Sequence, residues 1–230
     1  MSRFDVDAVA FDLDGTLVDS VGDLSLALDA TLAEEGLESV PAAVVRDLIG
    51  KGIPALIARA CARTGANVDA ARVEAMLPRY FAHYEAAIGR RSTLFPGAAD
   101  ALRALRARGL KLAVVTNKAA RFVRPHLARA GIEGAFDTLV GGDEAQAKKP
   151  AAAPLELAAR RLGVEVRRVL MVGDSANDVG CARAAGAPVV VVPWGYREGA
   201  EVRALGADAI VDSFDALAEL VAGRRTPPLR

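Results

Sequence analysis

Asp12-Leu13-Asp14-Gly15-Thr16-Leu17-Val18-Asp19-Ser20 follows directly on the apolar run of residues 6–11, which has the length and composition of a buried strand. Two carboxylates therefore stand two residues apart where a strand runs into a glycine turn, and the period-two geometry of extended chain sends both toward one side. Like charges this close stay ionised together only with a cation between them; otherwise one takes up a proton. A bare Asp-x-Asp fits a helix cap followed by a turn acid equally well. The longer string Asp-Leu-Asp-Gly-Thr-Leu-Val-Asp moves the balance toward chemistry.

Working outward, residues 20–35 carry Val21, Leu24, Leu28 and Leu32 at helical spacing and stop at Gly36. Three more helical stretches follow at 42–49, 53–64 and 68–88, the last with Met76, Leu77, Tyr80, Phe81 and Tyr84 along its apolar side. No strand is expected between residues 19 and 91. Phe95-Pro96-Gly97 is a turn signal, and beyond it the character changes. Helices at 98–108, 119–130, 154–162 and 177–185 end at Gly109, Gly131, Gly163 and Gly186, and Val/Leu/Ile-rich runs follow them at 110–116, 137–140, 168–173 and 188–193. A short strand at 209–211 and a helix opened by Ser213 complete the pattern, and residues 224–230, with two prolines, are expected to fray. Helix–strand alternation with glycine at helix ends predicts an α/β protein whose mostly parallel sheet is covered on both faces. The helical stretch is then an insertion behind the first strand. This divides the chain into an α/β core (1–18 and 93–230) and an all-helical cap (19–92).

The 230 residues, 52% hydrophobic and 25% charged, suit a globular protein with a substantial core. Lys plus Arg (29) equals Asp plus Glu (29), which gives no reason to expect a polyanionic partner and argues against nucleic acid. No apolar stretch approaches the roughly 20 residues of a membrane span, so no membrane partner is expected. Cys61 and Cys181 lie far apart in Ala-rich helical patterns, and no signal-like segment opens the chain. The expectation is a reduced, cytoplasmic protein, monomer or homodimer.

In parallel α/β sheets ligands bind at the carboxyl ends of the strands, near the point where strand order reverses. There the sequence places Asp12 and Asp14, then Thr116-Asn117-Lys118, then Gly173-Asp174-Ser175-Ala176-Asn177-Asp178, and between the second and third of these lies Lys148-Lys149-Pro150. Asp12, Asp14 and Asp174 could gather around one hard cation, for which oxygen donors without a Cys/His cluster suit Mg2+ better than zinc. An aspartate there can attack a phosphoryl group, and a second, Asp14, can protonate the leaving alkoxide and then activate water. Thr116, Asn117 and Lys149 would supply donors and positive charge to the transferring group. Each has a plainer alternative: helix capping for Thr116 and Asn117, a solvated loop for Lys149, helix-dipole preference for Asp174 and Asp178. His83 and His126 have no partner spacing and are assigned surface or packing roles. Gly50-Lys51-Gly52, between two helices of the insertion, lets backbone approach a ligand closely.

Taken in order, Asp12-Leu-Asp-Gly-Thr, Thr116-Asn-Lys, Lys149-Pro and Gly173-Asp-Ser-Ala-Asn-Asp178 resemble the motifs of the haloacid dehalogenase superfamily, over the whole chain. The resemblance implies a Rossmann-like core with a helical cap, Mg2+ as cofactor, and phosphoryl transfer through a phosphoaspartate. It implies Asp12 as nucleophile, Asp14 as general acid/base, Thr116 at the phosphoryl group, and Lys149 holding the charge of nucleophile and phosphate. It also implies metal contacts from Asp12, the backbone carbonyl of Asp14, and Asp174, with Asp178 near the metal or paired with Lys149. Asp14 argues against the dehalogenase and phosphonoacetaldehyde hydrolase branches, which lack it. Phe95-Pro-Gly, Gly50-Lys-Gly-Ile-Pro and Trp194-Gly-Tyr-Arg-Glu-Gly199 are similar to stretches of the phosphoglycolate phosphatases; Ala152 departs from a Lys-Pro-x-Pro pattern common there. The implied activity is hydrolysis of a small phosphorylated metabolite, foremost 2-phosphoglycolate; if the substrate carries a carboxylate, the Gly50-Lys51-Gly52 turn is the expected receiver, with Lys51 and Gly52 as its contacts. The alternatives are a phosphatase or phosphomutase for sugar phosphates or nucleotides and, from another class, a silent phosphate-metabolite binder.

Overall fold

The computed structural model describes residues 4–50, 52–196 and 201–222. Lys51, residues 197–199 of the 194–199 stretch, and the 224–230 tail lie outside the described residues. The chain opens with β1 (Phe4–Asp5), β2 (Ala8–Phe11) and β3 (Val18–Asp19), then runs through α1 (Val21–Glu34), α2 (Ala42–Leu48), α3 (Ile53–Arg63) and α4 (Ala70–Ala87). It returns through β4 (Thr93–Leu94) into α5 (Ala98–Ala107), β5 (Lys111–Val115), α6 (Ala120–Arg129) and β6 (Thr138–Val140). It continues with α7 (Ala153–Leu162), β7 (Val169–Gly173), α8 (Ala176–Ala185), β8 (Val189–Val191), β9 (Ala209–Ile210), α9 (Phe214–Leu220) and β10 (Val221–Ala222).

The main sheet has the order β6-β5-β2-β7-β8-β9 with every neighbouring pair parallel. From β2 the chain builds outward through β5 and β6 on one side, then crosses back to lay β7, β8 and β9 on the other. Strand order therefore reverses beside β2, and the crevice at its carboxyl end is where such a sheet binds ligands. Alternation along the strands sorts the two faces. Val9, Phe11, Leu112, Val114, Leu170 and Val172 pack under α5, α6 and α9, while Ala8, Ala10, Ala113, Val115, Val169 and Met171 pack under α7 and α8. Alanine on the second face lets α7 and α8 approach closely. Both layers exclude water, which is why these strands are apolar except at the Lys111 end of β5.

Helices α1 to α4 make a separate apolar cluster, with Leu28, Leu32, Val45, Ile57, Met76 and Tyr80 fully buried. Phe122 of α6 joins it from beneath the sheet's edge. The Tyr80 and Tyr84 rings stack at 6.1 Å, and Tyr84 meets Phe122 edge-on at 5.2 Å.

Two short strand pairs were not expected from sequence. One joins β1 to β10 in parallel. In the other, β3 and β4 pair antiparallel where the chain leaves and re-enters the sheet layer, Val18 opposite Leu94 and Asp19 opposite Thr93. Strands of two residues carry no periodicity, so long-range pairing alone defines them. The strand expected at 6–11 begins at Ala8, because Asp7 is drawn into an ion pair with Arg168, 2.5 Å away.

Beside that crossing, Asp23 of α1 is fully buried and accepts hydrogen bonds from the backbone N–H of Gly89 (2.7 Å), Arg91 (2.7 Å) and Ser92 (3.1 Å). Gly22 leaves room for this: a Cβ there would lie 2.6 Å from that of Arg91. His126 of α6 is also fully buried, with Nε2 2.9 Å from Ser92 Oγ and 3.8 Å from Asp23 Oδ2. Its packing role, assigned from sequence, is thus at the junction of the two layers. His83 lies at the surface 2.7 Å from Glu34.

Asp23→Ala strips the acceptors from three backbone donors, and a loss of about 2 kcal/mol in urea unfolding is expected. Burial first, then Lys118, depress the His126 pKa to about 4 against the opposing pull of Asp14 and Asp23. An unfolded histidine titrates near 6.5, so between these values the unfolded chain binds a proton that the folded one refuses. Stability therefore rises with pH across this window and is lost on acidification. Unfolding titrations at pH 7 and pH 5 check it: His126→Gln is expected to remove roughly 2 kcal/mol of that loss.

Candidate active site

The carboxyl ends of β2 and β7 place Asp12 and Asp174 on adjacent strands, and the Asp12 N–H extends the ladder by donating to Val172 O at 2.9 Å. Lys149 comes from the loop before α7 and is almost wholly buried. Its Nζ lies 2.8 Å from Asp12 Oδ1, 2.6 Å from Asp178 Oδ1 and 2.9 Å from Val115 O. Burial disfavours the ammonium, but Asp12 and Asp178 outweigh it and hold Lys149 charged, above its ordinary value. A solvated loop role for Lys149 is excluded by this burial.

Asn117 fixes the Lys149 loop. Its Nδ2 donates to Lys149 O (3.0 Å) and its Oδ1 accepts from Lys149 N (2.9 Å). The sequence reading put Asn117 on the substrate; its amide is spent on this backbone clamp instead, although the residue borders the cavity. Thr116 is buried beside it, with Oγ1 accepting from Lys118 N at 3.2 Å. Asp178 is the N3 residue of a capping box at the start of α8. Its Oδ2 accepts from Ser175 Oγ (2.7 Å), Ser175 N (3.0 Å) and Asp174 N (3.2 Å). This carboxylate orients both Lys149 and the turn that carries Asp174. Gly173 is required for it: a Cβ there would sit 2.1 Å from Asp178 Cγ.

Asp174 accepts from Thr16 Oγ1 (3.1 Å) and from Tyr196 N. Gly195 and Gly15 flank it so tightly that a Cβ would come within 2.2 Å and 2.5 Å of Asp174 Oδ2. Sequence reasoning quoted Trp194-Gly195-Tyr196 without giving it a role; its tight fit on Asp174 is the role. Thr16 was visible only as part of the first motif.

Asp12, Asp174 and Asp178 offer carboxylate oxygens within 4.8 Å of one another. The grouping of Asp12, Asp14 and Asp174 carboxylates expected from period-two geometry is corrected here. Past Asp12 the chain turns into a bend rather than continuing as strand, and the Asp14 carboxylate faces Lys118, with Nζ 2.9 Å from both oxygens. The set suits a hard divalent cation: all donors are oxygens, and three buried carboxylates face one ammonium. Asp12 Oδ1 is moreover buried with no directed hydrogen bond. Burial, with Asp178 and Asp14 nearby, pushes Asp12 up to about 6 despite Lys149. Burial, then Asp178 and Asp12, push Asp174 well above the carboxylate range. Asp14 behaves oppositely: burial pulls it up, but Lys118 and then His126 hold it below its ordinary value.

The carboxylates border a cavity of about 850 Å³ roofed by Leu24, Ile53, Leu56 and Tyr84 of the helical insertion. Gly50 and Gly52 both line it, and Gly50 O accepts from Asn177 Nδ2 at 3.4 Å. Gly52 has φ +87°, a conformation that glycine adopts without strain.

A parallel sheet presenting a buried aspartate beside a fixed lysine and a carboxylate cluster is the framework of a hydrolase that works on anionic groups. Residues 9–192 match the model of the haloacid dehalogenase-like hydrolases, and the chain belongs to that family. It is 42% identical to a phosphoglycolate phosphatase of Cupriavidus necator over 96% of this chain and 95% of the relative. Among solved structures, it superposes with TM-score 0.87 and 31% identity on a predicted phosphoglycolate phosphatase from Haemophilus somnus, covering 94% of this chain and 98% of the other. It superposes on CbbY from Rhodobacter sphaeroides in complex with phosphate with TM-score 0.75 and 26% identity, covering 91% and 95%. The chain is a phosphatase, a hydrolase of phosphomonoesters. Among the described residues no helix is long and apolar enough to cross a membrane.

Gly195→Ala forces its methyl group onto Asp174. Titration calorimetry with Mg2+ is expected to show at least about tenfold weaker binding than wild type, with unchanged far-UV circular dichroism.

Proposed function

We propose that this phosphatase hydrolyses 2-phosphoglycolate to glycolate and phosphate through a phosphoaspartate at Asp12. The observation that carries the mechanism is the Lys149 ammonium, buried 2.8 Å from Asp12 Oδ1. A nucleophilic carboxylate and a dianionic phosphoryl group repel, and a fixed ammonium between them offsets that repulsion without reorganising. Asp12 attacks phosphorus, the bond to the ester oxygen breaks, and Asp14 gives that oxygen a proton. Asp14, now ionised, takes a proton from water, which attacks the acyl phosphate and returns Asp12 as carboxylate. Thr116 would donate its hydroxyl to the phosphoryl oxygens. Asp12 and Asp174, with the backbone carbonyl of Asp14, would hold Mg2+, and Asp178 would act beside it through Lys149. When bound, Mg2+ supplies charge neutralisation for the phosphoryl oxygens.

The similarity to phosphoglycolate phosphatases along nearly the whole chain supports the choice of substrate. The helical block 19–92 is read as a cap on an α/β core formed by 1–18 and 93–230, with the 50–52 turn bordering the bound substrate. Its roof over the cavity would exclude water during the first transfer and favour a small ester. Buried, unpaired Cys61 and Cys181 suit a cytoplasmic enzyme, working as monomer or homodimer.

Phosphate release from 2-phosphoglycolate, sugar phosphates, nucleotides and an aryl phosphate tests this reading. Expected is a preference for 2-phosphoglycolate of at least about tenfold in kcat/KM, abolished by chelation and restored by Mg2+. Preference for a sugar phosphate would replace the substrate. Asp12→Asn is expected to lower kcat by at least about 10⁴ with the fold intact; turnover in that variant would remove the phosphoaspartate.

A further inference from the structure

A carboxylated phosphate ester carries a second negative charge that the phosphoryl machinery does not use. Lysines 118, 148 and 149 line the cavity among its described residues. Lys149 is committed to Asp12, Asp178 and Val115 O. Lys148 is exposed at the rim, where water screens it. Lys118 is different: its side chain is 5% exposed, and both oxygens of Asp14 lie 2.9 Å from its Nζ. Its remaining contacts come from Tyr84 of α4, whose hydroxyl accepts from Nζ and whose ring centroid is 4.7 Å away.

This pairing occupies the residue that the proposed reaction needs elsewhere. Both carboxylate oxygens of Asp14 are engaged at one ammonium, whereas the proposed reaction needs that carboxyl at the ester oxygen. In 2-phosphoglycolate the carboxylate is separated from that ester oxygen by a single methylene. When the ester oxygen is within reach of Asp14, the substrate carboxylate is therefore within reach of the cation that Asp14 is holding. We propose that Lys118 receives the substrate carboxylate and that this exchange releases Asp14 for proton transfer. This rests on the reading of Asp12 and Asp14 given above. Charge is conserved in the exchange, since one carboxylate replaces another on the same ammonium, and the freed Asp14 takes from solvent the proton that it passes to the ester oxygen. Specificity then appears in turnover as well as in binding: an ester without a carboxylate leaves Asp14 on Lys118.

The test compares 2-phosphoglycolate with 2-hydroxyethyl phosphate, an uncharged-tail ester of equal length, in wild type, Lys118→Met and Lys118→Arg. Wild type is expected to favour 2-phosphoglycolate in both kcat and kcat/KM. Lys118→Met should lower the ratio of the two kcat/KM values at least tenfold, and Lys118→Arg should restore part of it. Residual hydrolysis of 2-hydroxyethyl phosphate by Lys118→Met reports that the variant is folded; if it has none, the Lys118→Arg ratio against wild type decides. A Lys118→Met ratio equal to that of wild type, or an Arg ratio below one tenth of wild type, overturns the assignment while leaving the phosphatase reading in place. Absence of any preference in wild type overturns the substrate reading and the Lys118 assignment together, and phosphoglycolate selectivity lost only in Lys51→Ala transfers the role to the 50–52 turn.

Discussion

The ammonium of Lys149 holds four parts of the chain in register: its own loop, the end of β2 through Asp12, the end of β5 through Val115 O, and the start of α8 through Asp178. It donates to Val115 O and Asp178 Oδ1 and is ion-paired with Asp12 at 2.8 Å, and such compensation is the condition under which a charged lysine tolerates burial. The surrounding construction serves that one group. Asn117 clamps its backbone, Asp178 is pinned by three donors of the Asp174–Ser175 turn, and Gly173 leaves the gap that Asp178 fills. Without the ammonium, three buried carboxylates would face one another with no protein cation between them.

Asp12 and Asp14 are the same residue type two positions apart, yet the fold sends them into opposite environments. Asp12 is raised by burial among other carboxylates, whereas Asp14 is lowered by Lys118 against the same burial. The divergence follows from the backbone: Asp12 continues the β2–β7 ladder, and Asp14 lies past the point where the chain bends away. Two carboxylates with separated environments are what a nucleophile and a proton carrier require. Gly15, at φ +91° and pressed against Asp174, carries the chain from that bend into the following turn and seats it.

The helical block has its own apolar core, so its attachment to the sheet layer depends on few contacts. Asp23 gathers the returning backbone, β3 and β4 pair across the two crossing chains, and His126 sits between Ser92, Asp23 and Asp14. These polar contacts are local, and the apolar contact through Phe122 is at the edge of the block. Tyr196 adds another link, accepting from Ser20 N and donating to Asp19 Oδ1, both at 2.7 Å, while Arg46 of α2 lies over its ring.

The α/β alternation, the helical insertion, the strand ends that carry Asp12, Thr116 and Asp174, and the loop that carries Lys149 were legible in the sequence. Apolar periodicity and terminal glycines are local signals, and a parallel sheet places the ends of all its strands on one side. Strand order, and with it the neighbours of each side chain, came only from the tertiary structure. Nothing local to Asp14 says that its carboxylate will meet Lys118, 104 positions away, and nothing local to Asn117 says that it will clamp Lys149. Gly195 and Tyr196 acquire meaning only against Asp174, and the two-residue strands β3 and β4 only against each other. Local chemistry is written in residue type and spacing, but the environment that sets a carboxylate's charge state is made by residues that become neighbours only when the sheet closes.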